Sequence, residues 1–275
     1  MALTMVAVSP ATPEDAPPSR ARRLWRELRF LLGLGTAILF LLTTVWGHYR
    51  IPSESMQPAL EVGDHIYASK FAYGFSRHSL PLGLHGLPLP DGRVFGRLPV
   101  RGDVAVFRNP NNGVVMIKRV VGLPGDTVQM RAGRLHINDR QVPREFVSEH
   151  LYRANDTGRS VRRASLFREA LPGRGTPTDI WEMSDSAALD DTPVFTVPQG
   201  HVFFMGDNRE NSTDSRVSTT LPDGTPIDIP SAYGPGFVPL DHLIARADAV
   251  LFSLNRCNRD EDLRCPEPGR ALSGL

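Results

Sequence analysis

The stretch VVMIKRVVGLPGD, residues 114–126, places a lysine inside a run of aliphatic residues. The chain has 31 lysines and arginines, and only Lys70 and Lys118 are lysine. A lysine buried among apolar neighbours can lose its proton, whereas an arginine effectively cannot. The β-branched run predicts a strand, and the bias towards arginine indicates that Lys118 is retained for its neutral form. The alternative is an ordinary strand lysine that keeps its amine in water.

The same β-branched character recurs along the rest of the chain after Arg50. Gly, Pro, Asn and Asp separate the runs, as strand predictions require. The runs are Val104–Phe107, Val114–Val121, Thr127–Met130, Leu135–Ile137, Val194–Val197, His201–Met205 and Ile244–Leu251. Residues 132–134, AGR, predict a hairpin turn, and 59–72 and 240–246 could each hold a turn or two of helix. The predicted fold class is mostly β, with an antiparallel ectodomain, and no pattern supports parallel βαβ units.

The N-terminus predicts a membrane anchor. Residues 1–29 are rich in Pro, Ala and Ser and then in arginine, which predicts a disordered basic tail. An uncharged run follows from Phe30 to Trp46, and at about 1.5 Å per residue it nearly crosses a hydrocarbon core of about 30 Å. A cleaved signal peptide is the alternative, but WGHYR, residues 46–50, lacks a small-x-small cleavage site. We therefore predict one transmembrane anchor over 30–47, with the arginines on the cytoplasmic side and residues 48–275 outside.

The remainder of the chain divides by composition. From about residue 149 to 191 it is polar and weakly periodic, which predicts a less regular inserted lobe. The predicted segments are a β core over 48–130 and 200–256, an inserted β or irregular lobe over 131–199, and a C-terminal tail over 257–275. Cys257 and Cys265 are either a short-loop disulfide in an oxidising compartment or two free thiols.

The charge and cysteine content exclude some classes of partner. The formal net charge is +1, and no basic block interrupts the ectodomain, so no nucleic-acid partner is predicted. Two cysteines without further ligands at close spacing do not indicate a metal site. No metal or cofactor is therefore predicted.

Two further stretches could carry chemistry. Residues 51–60, IPSESMQPAL, place two serines on a loop that prolines constrain. Residues 206–216, GDNRENSTDSR, have the composition of a loop whose side chains bond its backbone. Ion pairs that fix the shape of this loop could form among Asp207, Arg209, Asp214 and Arg216. Taken alone, each stretch is at least as consistent with a structural role as with a catalytic one.

A serine hydroxyl is a weak nucleophile until a base takes its proton. The chain has 8 histidines, but none lies in a motif that marks a catalytic triad, and there is no G-x-S-x-G elbow. Lysine is the alternative base, provided that burial lowers its pKa from about 10.4 by up to about 3–5 units. The apolar neighbours of Lys118 would produce such a change.

These stretches, in this order after an N-terminal anchor, resemble the boxes of bacterial type I signal peptidases. The resemblance covers roughly residues 46–252, thins across 145–195, and includes RGDVAVFR, residues 101–108. Four boxes in sequence are specific, although any one of them alone would be weak. The resemblance implies an antiparallel β ectodomain and a Ser-Lys serine endopeptidase that removes signal peptides from exported preproteins after small-x-small motifs. It also implies a monomer in the cell inner (plasma) membrane, with a periplasmic catalytic domain. Its partners would be signal peptides and the lipid bilayer, and it would need no cofactor.

The resemblance also implies a role for each matching residue. Ser55 corresponds to the nucleophile and Lys118 to the general base. Ser53 corresponds to a hydroxyl of the oxyanion hole and Ser212 to the hydroxyl that orients the lysine amine. The remaining matches are the substrate-pocket residues Ile51 and Ile117 and the supporting ion pair of Asp214 with Arg216.

The sequence departs from the family pattern in three places. Glu54 lies between the two serines where many members have glycine, so its side chain is expected to point outward unless the substrate path is altered. Residues 217–235 form a longer segment than the family pattern implies. The Leu- and Pro-rich loop over 79–99 either covers the core or dips into lipid headgroups.

Three rival functions follow from the same residues. A self-cleaving Ser-Lys regulator should carry a DNA-binding helix-turn-helix and no anchor. A non-catalytic membrane-tethered scaffold would not need Ser55, Lys118 and Ser212 together. A relative dedicated to one specialised substrate is compatible with every motif.

Overall fold

The computed structural model describes residues 19–80, 92–153, 161–184, 186–217, 234–254 and 273–275. Contacts between residues divide the chain into two units, residues 1–43 and residues 44–275. Cys257 and Cys265, most of the 79–99 loop and nearly all of the 217–235 segment lie outside the described residues. The predictions made for them stay predictions.

The helix of the first unit is α1, Arg20–Val45. Its apolar side chains from Phe30 to Phe40 include seven that are 45–67% exposed. The chain leaves the helix at Trp46, which begins a strand. Among the described residues, no helix is both long enough and apolar enough to span a membrane. The helix is therefore present, and the predicted span over 30–47 is not confirmed.

The second unit is built from strands. In chain order they are β1 Trp46–Arg50, β2 Asp64–Ser69, β3 Val104–Arg108, β4 Val115–Gly122, β5 Thr127–Arg131, β6 Arg134–Ile137, β7 Arg140–Gln141, β8 Arg144–Arg153, β9 Val161–Glu169, β10 Thr178–Glu182, β11 Phe195–Thr196, β12 His201–Met205, β13 Val238–Pro239, β14 Leu243–Ser253 and β15 Ser273–Gly274. Short 3₁₀ turns lie at Glu54–Met56, Lys70–Tyr73, Arg77–Ser79 and Leu240–His242.

An antiparallel sheet of eight strands forms the core of this unit. Its order is β1-β2-β14-β3-β4-β12-β13, and β15 pairs with β14. Phe107 on β3 and Phe204 on β12 stack at 4.2 Å between ring centroids in the middle of it. Every pairing between named strands is antiparallel, as the alternating pattern predicts.

Two smaller sheets lie between β4 and β12 in the sequence. One has the order β10-β9-β8 and the other β11-β5-β6-β7. The hairpin predicted at residues 132–134 joins β5 to β6, with Ala132 and Gly133 both at positive φ. The predicted division into a core and an inserted lobe stays a prediction, since contacts group residues 44–275 together.

Two regions of the structure add detail to the sequence-based predictions. The region from about 149 to 191, predicted as a less regular lobe, contains the second half of β8, all of β9 and all of β10. Both faces of β9 are partly exposed, so its sequence lacks the apolar alternation that marks a half-buried strand. The helical turn predicted within 59–72 forms only at Lys70–Tyr73, because β2 occupies 64–69 and pairs with β1 and β14.

Candidate active site

Lys118 lies in the middle of β4 with its side chain inside the protein. It pairs across the sheet with Ala105 of β3, and only 4% of its surface is exposed. The alternative of a strand lysine that keeps its amine in water is excluded, because the amine is buried together with its aliphatic chain.

Ser55 reaches Lys118 from a 3₁₀ turn over Glu54–Met56. Met56 is fully buried in the hydrophobic core and holds the turn against the sheet. The amide of Leu60 donates to the Met56 carbonyl at 2.8 Å and closes the following turn. The Ser55 hydroxyl and the Lys118 amine share a hydrogen bond. Residues 63 positions apart in the sequence thus form one buried pair.

The environment of Lys118 favours its neutral form. Burial lowers the pKa of Lys118 from 10.5 to about 8. The carboxylates of Asp214 and Asp207 raise this pKa, and the guanidinium of Arg216 lowers it. Burial is the largest of these effects, and Arg216, which is bonded to Asp214, offsets part of the effect of the carboxylates. A neutral amine bonded to a serine hydroxyl is able to accept the hydroxyl's proton.

The loop over residues 206–216 closes the site above this pair. Gly206 donates its amide to the Asp214 carboxylate at 2.9 Å. A Cβ atom at Gly206 would collide with the Ser212 side chain and would lie 2.5 Å from the Ser55 carbonyl oxygen. Only glycine therefore allows the loop to approach the serine turn so closely.

The predicted ion pair between Asp214 and Arg216 is present and buried. The Arg216 guanidinium donates from Nε and Nη2 to the two carboxylate oxygens, each at 2.9 Å. Burial alone would raise the pKa of Asp214, but the charge and hydrogen bonds of Arg216 hold it below the ordinary value of 3.8. The pair therefore stays ionised and fixes the end of the loop.

The other charges of the loop bind partners outside it. Asp207 accepts two hydrogen bonds of 2.7 Å from Arg119, the residue after Lys118. Arg209 pairs with Glu169 of β9. Sequence reasoning missed both partners. A signal for the first was available, since an arginine within an apolar run also calls for a buried acid.

The two further serines of the candidate site differ in their surroundings. Ser53 is exposed, and its hydroxyl lies 3.2 Å from the Ser55 hydroxyl. Ser212 is 7% exposed, and in the described part of the chain its hydroxyl has no hydrogen-bond partner. The predicted bond from Ser212 to Lys118 is thus not among those that the structure contains, although both residues adjoin Ser55.

The two predicted pocket residues pack against the same apolar cluster. Ile51 is 1% exposed and belongs to the core, whereas Ile117 is partly buried at its edge. Ile117 therefore offers more surface to a bound molecule than Ile51 does.

Glu54 does not point outward, which corrects the prediction from the sequence. It is 6% exposed, and its carboxylate accepts a hydrogen bond of 2.8 Å from the Asn211 amide. Asn208 adds a bond of 3.2 Å to the Glu54 carbonyl. The larger residue is accommodated because it joins the serine turn to the 206–216 loop.

Comparison with known proteins identifies the family of this chain. The family model described as "Signal peptidase, peptidase S26" matches residues 24–252 of this chain. The chain belongs to this signal peptidase family. It is therefore a member of a peptidase family, and the resemblance stated from its motifs is confirmed.

Several curated relatives come from Rickettsia species. Signal peptidase I of Rickettsia conorii is 32% identical over 249 residues, which cover 88% of this chain and 84% of that protein. Signal peptidase I of Rickettsia prowazekii is 35% identical over 221 residues, 78% of this chain and 75% of that protein. A solved signal peptidase I from Enterococcus faecalis V583 is 28% identical and covers 55% of this chain and 97% of its own. Its TM-score of 0.28 is too low to support a statement about the fold.

We predict that Asp214→Asn destabilises the protein by about 3–5 kcal/mol at neutral pH, because it leaves the Arg216 charge buried and unpaired. The lowered pKa of Asp214 contributes stability above the ordinary value of 3.8 that is lost as pH falls through the folded-state pKa. The difference in the free energy of unfolding between wild type and variant should therefore become smaller below about pH 4. Urea unfolding across pH measures this difference.

Asp139→Asn is the matched control. Asp139 pairs with Arg131 at 2.7 Å on the surface, where its side chain is 80% exposed. Asp139→Asn should lower the free energy of unfolding by less than about 1 kcal/mol at every pH. If Asp214→Asn lowers the free energy of unfolding no more than this surface control does, the Asp214–Arg216 pair adds nothing to loop stability.

Proposed function

We propose that this chain is a membrane-anchored serine endopeptidase that removes N-terminal signal peptides from exported preproteins after small-x-small motifs. The observation that carries the proposal is the buried hydrogen bond between Ser55 and Lys118, together with the lowered pKa of that lysine. Family membership supplies the reaction class, and this pair supplies a nucleophile and a base.

The proposed reaction starts with proton transfer. Neutral Lys118 takes the hydroxyl proton of Ser55, and the oxygen attacks the carbonyl carbon of the scissile peptide bond. The lysine then gives the proton to the leaving amine as the C–N bond breaks, which leaves an ester on Ser55. The Lys118 amine then takes a proton from water, which attacks the ester. The signal peptide leaves with a free carboxylate, and Lys118 returns the proton to the Ser55 oxygen.

Two serines assist the pair in this proposal. The Ser53 hydroxyl, 3.2 Å from the attacking oxygen, donates with the Ser55 amide to the oxyanion. Loss of one such donor typically costs about 10²–10³ in turnover. The buried hydroxyl of Ser212, which has no partner among the described residues, is available to orient the Lys118 amine without adding a charge that would favour protonation.

A strand edge is the proposed binding surface. Among the described strands, residues 115–118 of β4 pair only with β3, whereas β12 pairs with β4 from residue 119 onward. An extended peptide can therefore add along the open side of β4 and use backbone hydrogen bonds. Ile117, packed against the core at this edge, favours small side chains before the cut.

The membrane position of the site is proposed from the sequence and from α1. The exposed apolar side chains that follow the arginines would enter the bilayer, with the N-terminus on the cytoplasmic side.

We predict that the full chain stays with the membrane pellet after alkaline carbonate extraction. A chain that begins at residue 48 should be released, and release of the full chain would contradict the anchor.

We predict that Ser55→Ala and Lys118→Met each abolish cleavage of a detergent-solubilised preprotein, because nucleophile and base act as a unit. Lys118→Arg should also be inactive, since a guanidinium stays protonated. Lys118→Met should at the same time be more stable than wild type at pH 7. The pKa decrease from 10.5 to about 8 corresponds to a penalty of about 3 kcal/mol on the charged form.

Lys70→Met is the matched control, since the chain has one other lysine and it lies outside the candidate site. It should remain active. Retained cleavage by folded Ser55→Ala or Lys118→Met would rule out the pair, whatever the stability result.

The pH profile provides a separate test. We predict that kcat/KM for a peptide with Ala at the first and third positions before the cut rises with pH through a limb near 8, the pKa of Lys118. That limb reports the base in the free enzyme. A histidine base would place it near about 6.5. A limb that a single His→Ala substitution removes would contradict the lysine mechanism.

A further inference from the structure

Three potential ligands meet outside the candidate active site. The side chains of His78, Asp241 and His242 place ligand atoms within 4.8 Å of one another. We refer to these three residues as the histidine cluster. The two imidazole rings lie 4.4 Å apart between centroids. The residues come from two 3₁₀ turns that are far apart in the sequence, which is why the sequence predicts no metal here.

The hydrogen bonds of the rings leave nitrogen atoms available. His242 Nδ1 lies 3.0 Å from the Arg108 carbonyl oxygen, and a proton on Nδ1 that donates to this oxygen leaves Nε2 with a free lone pair. His78 is 9% exposed, and among the described residues its Nδ1 has no partner. Its Nε2 accepts a long hydrogen bond of 3.3 Å from Arg77 Nε, and an ion bound to this ring would replace that bond. A backbone carbonyl that fixes the tautomer in this way is the usual support of a metal-binding histidine.

Hydrogen bonds within the protein hold the two turns in place. The Ser79 hydroxyl donates to the Ile244 carbonyl at 3.4 Å and ties the first turn to β14. Arg93 donates to the Leu240 and Leu243 carbonyls at 2.6 and 2.9 Å and clamps the second turn. The cluster is therefore preorganised before any ion binds, which favours a specific site.

The set of ligands decides which ion suits the cluster. Two imidazoles and one carboxylate offer few oxygen ligands, which disfavours Ca²⁺ and Mg²⁺ because these ions need several. The same set favours a transition-metal ion, which binds imidazole strongly.

We propose that His78, Asp241 and His242 bind a first-row transition-metal ion such as Zn²⁺, with water at the fourth position. Tetrahedral Zn²⁺ with bonds of about 2.0–2.1 Å holds its ligand atoms about 3.3 Å apart. The side chains must therefore close by about 1.5 Å or less, which rotation about their χ angles can achieve. The ion would link residues 77–79 to residues 240–242, a structural role separate from the proposed peptidase activity.

The test is a titration of the full chain, purified in the presence of EDTA and then freed of it, with Co²⁺ and with Zn²⁺. We expect one equivalent of Co²⁺ to give the visible d–d absorption of a tetrahedral site, and Zn²⁺ to displace it. Because Zn²⁺ binds the folded state, the Tm should also rise.

His78→Ala, Asp241→Asn and His242→Ala should each weaken Zn²⁺ binding by at least about tenfold. Asp241→Asn keeps the shape of the side chain, so it tests the site even if a histidine variant folds poorly. The matched controls are His201→Ala, whose ring also bonds a backbone carbonyl at 3.0 Å, and His65→Ala, whose ring lies 2.9 Å from His48. Both controls should bind Zn²⁺ as wild type does. Absence of the Co²⁺ spectrum, or loss of binding in a control but not in Asp241→Asn, would overturn the proposal.

Discussion

The burial of one amine beside one hydroxyl is the constraint on which the candidate site depends. Lys118 must be desolvated to be neutral near pH 8, and desolvation costs folding free energy while the amine is charged. Apolar packing in the eight-stranded sheet offsets this cost, because β4 lies inside the sheet and its apolar residues pack on both faces. Ser55 can reach the amine only because Met56 anchors its turn in the same core.

Buried ion pairs then set the field around the amine. Two carboxylates near Lys118 would keep it protonated if they were unpaired. Asp207 is bonded to Arg119 and Asp214 to Arg216, each through two hydrogen bonds. Each pair is nearly neutral as a unit, so the 206–216 loop can close over the site and leave burial as the dominant effect on the lysine.

The strands between β4 and β12 support this loop directly. The backbone carbonyl of Trp181 in β10 accepts a hydrogen bond of 2.9 Å from the Arg209 amide. The Trp181 amide donates one of 2.8 Å to the Asp207 backbone carbonyl. Glu169 of β9 neutralises Arg209, and Glu54 bonds Asn211 from the serine turn. A segment that reads as polar and irregular in the sequence is therefore part of what positions the candidate catalytic residues. Variation in this segment is expected to alter activity without contact with the reacting bond.

Sequence alone determined the strand class, the hairpin at 132–134 and the three stretches that contain Ser55, Lys118 and Ser212. Those features are local, since β-branched alternation, turn residues and a lysine in an apolar run follow from neighbouring positions. Only the tertiary structure decided that Glu54 points inward, that Asp207 pairs with Arg119, and that His78 meets His242. These contacts join residues far apart in the chain, and the strand order that brings them together depends on the packing of the whole sheet rather than on any local pattern.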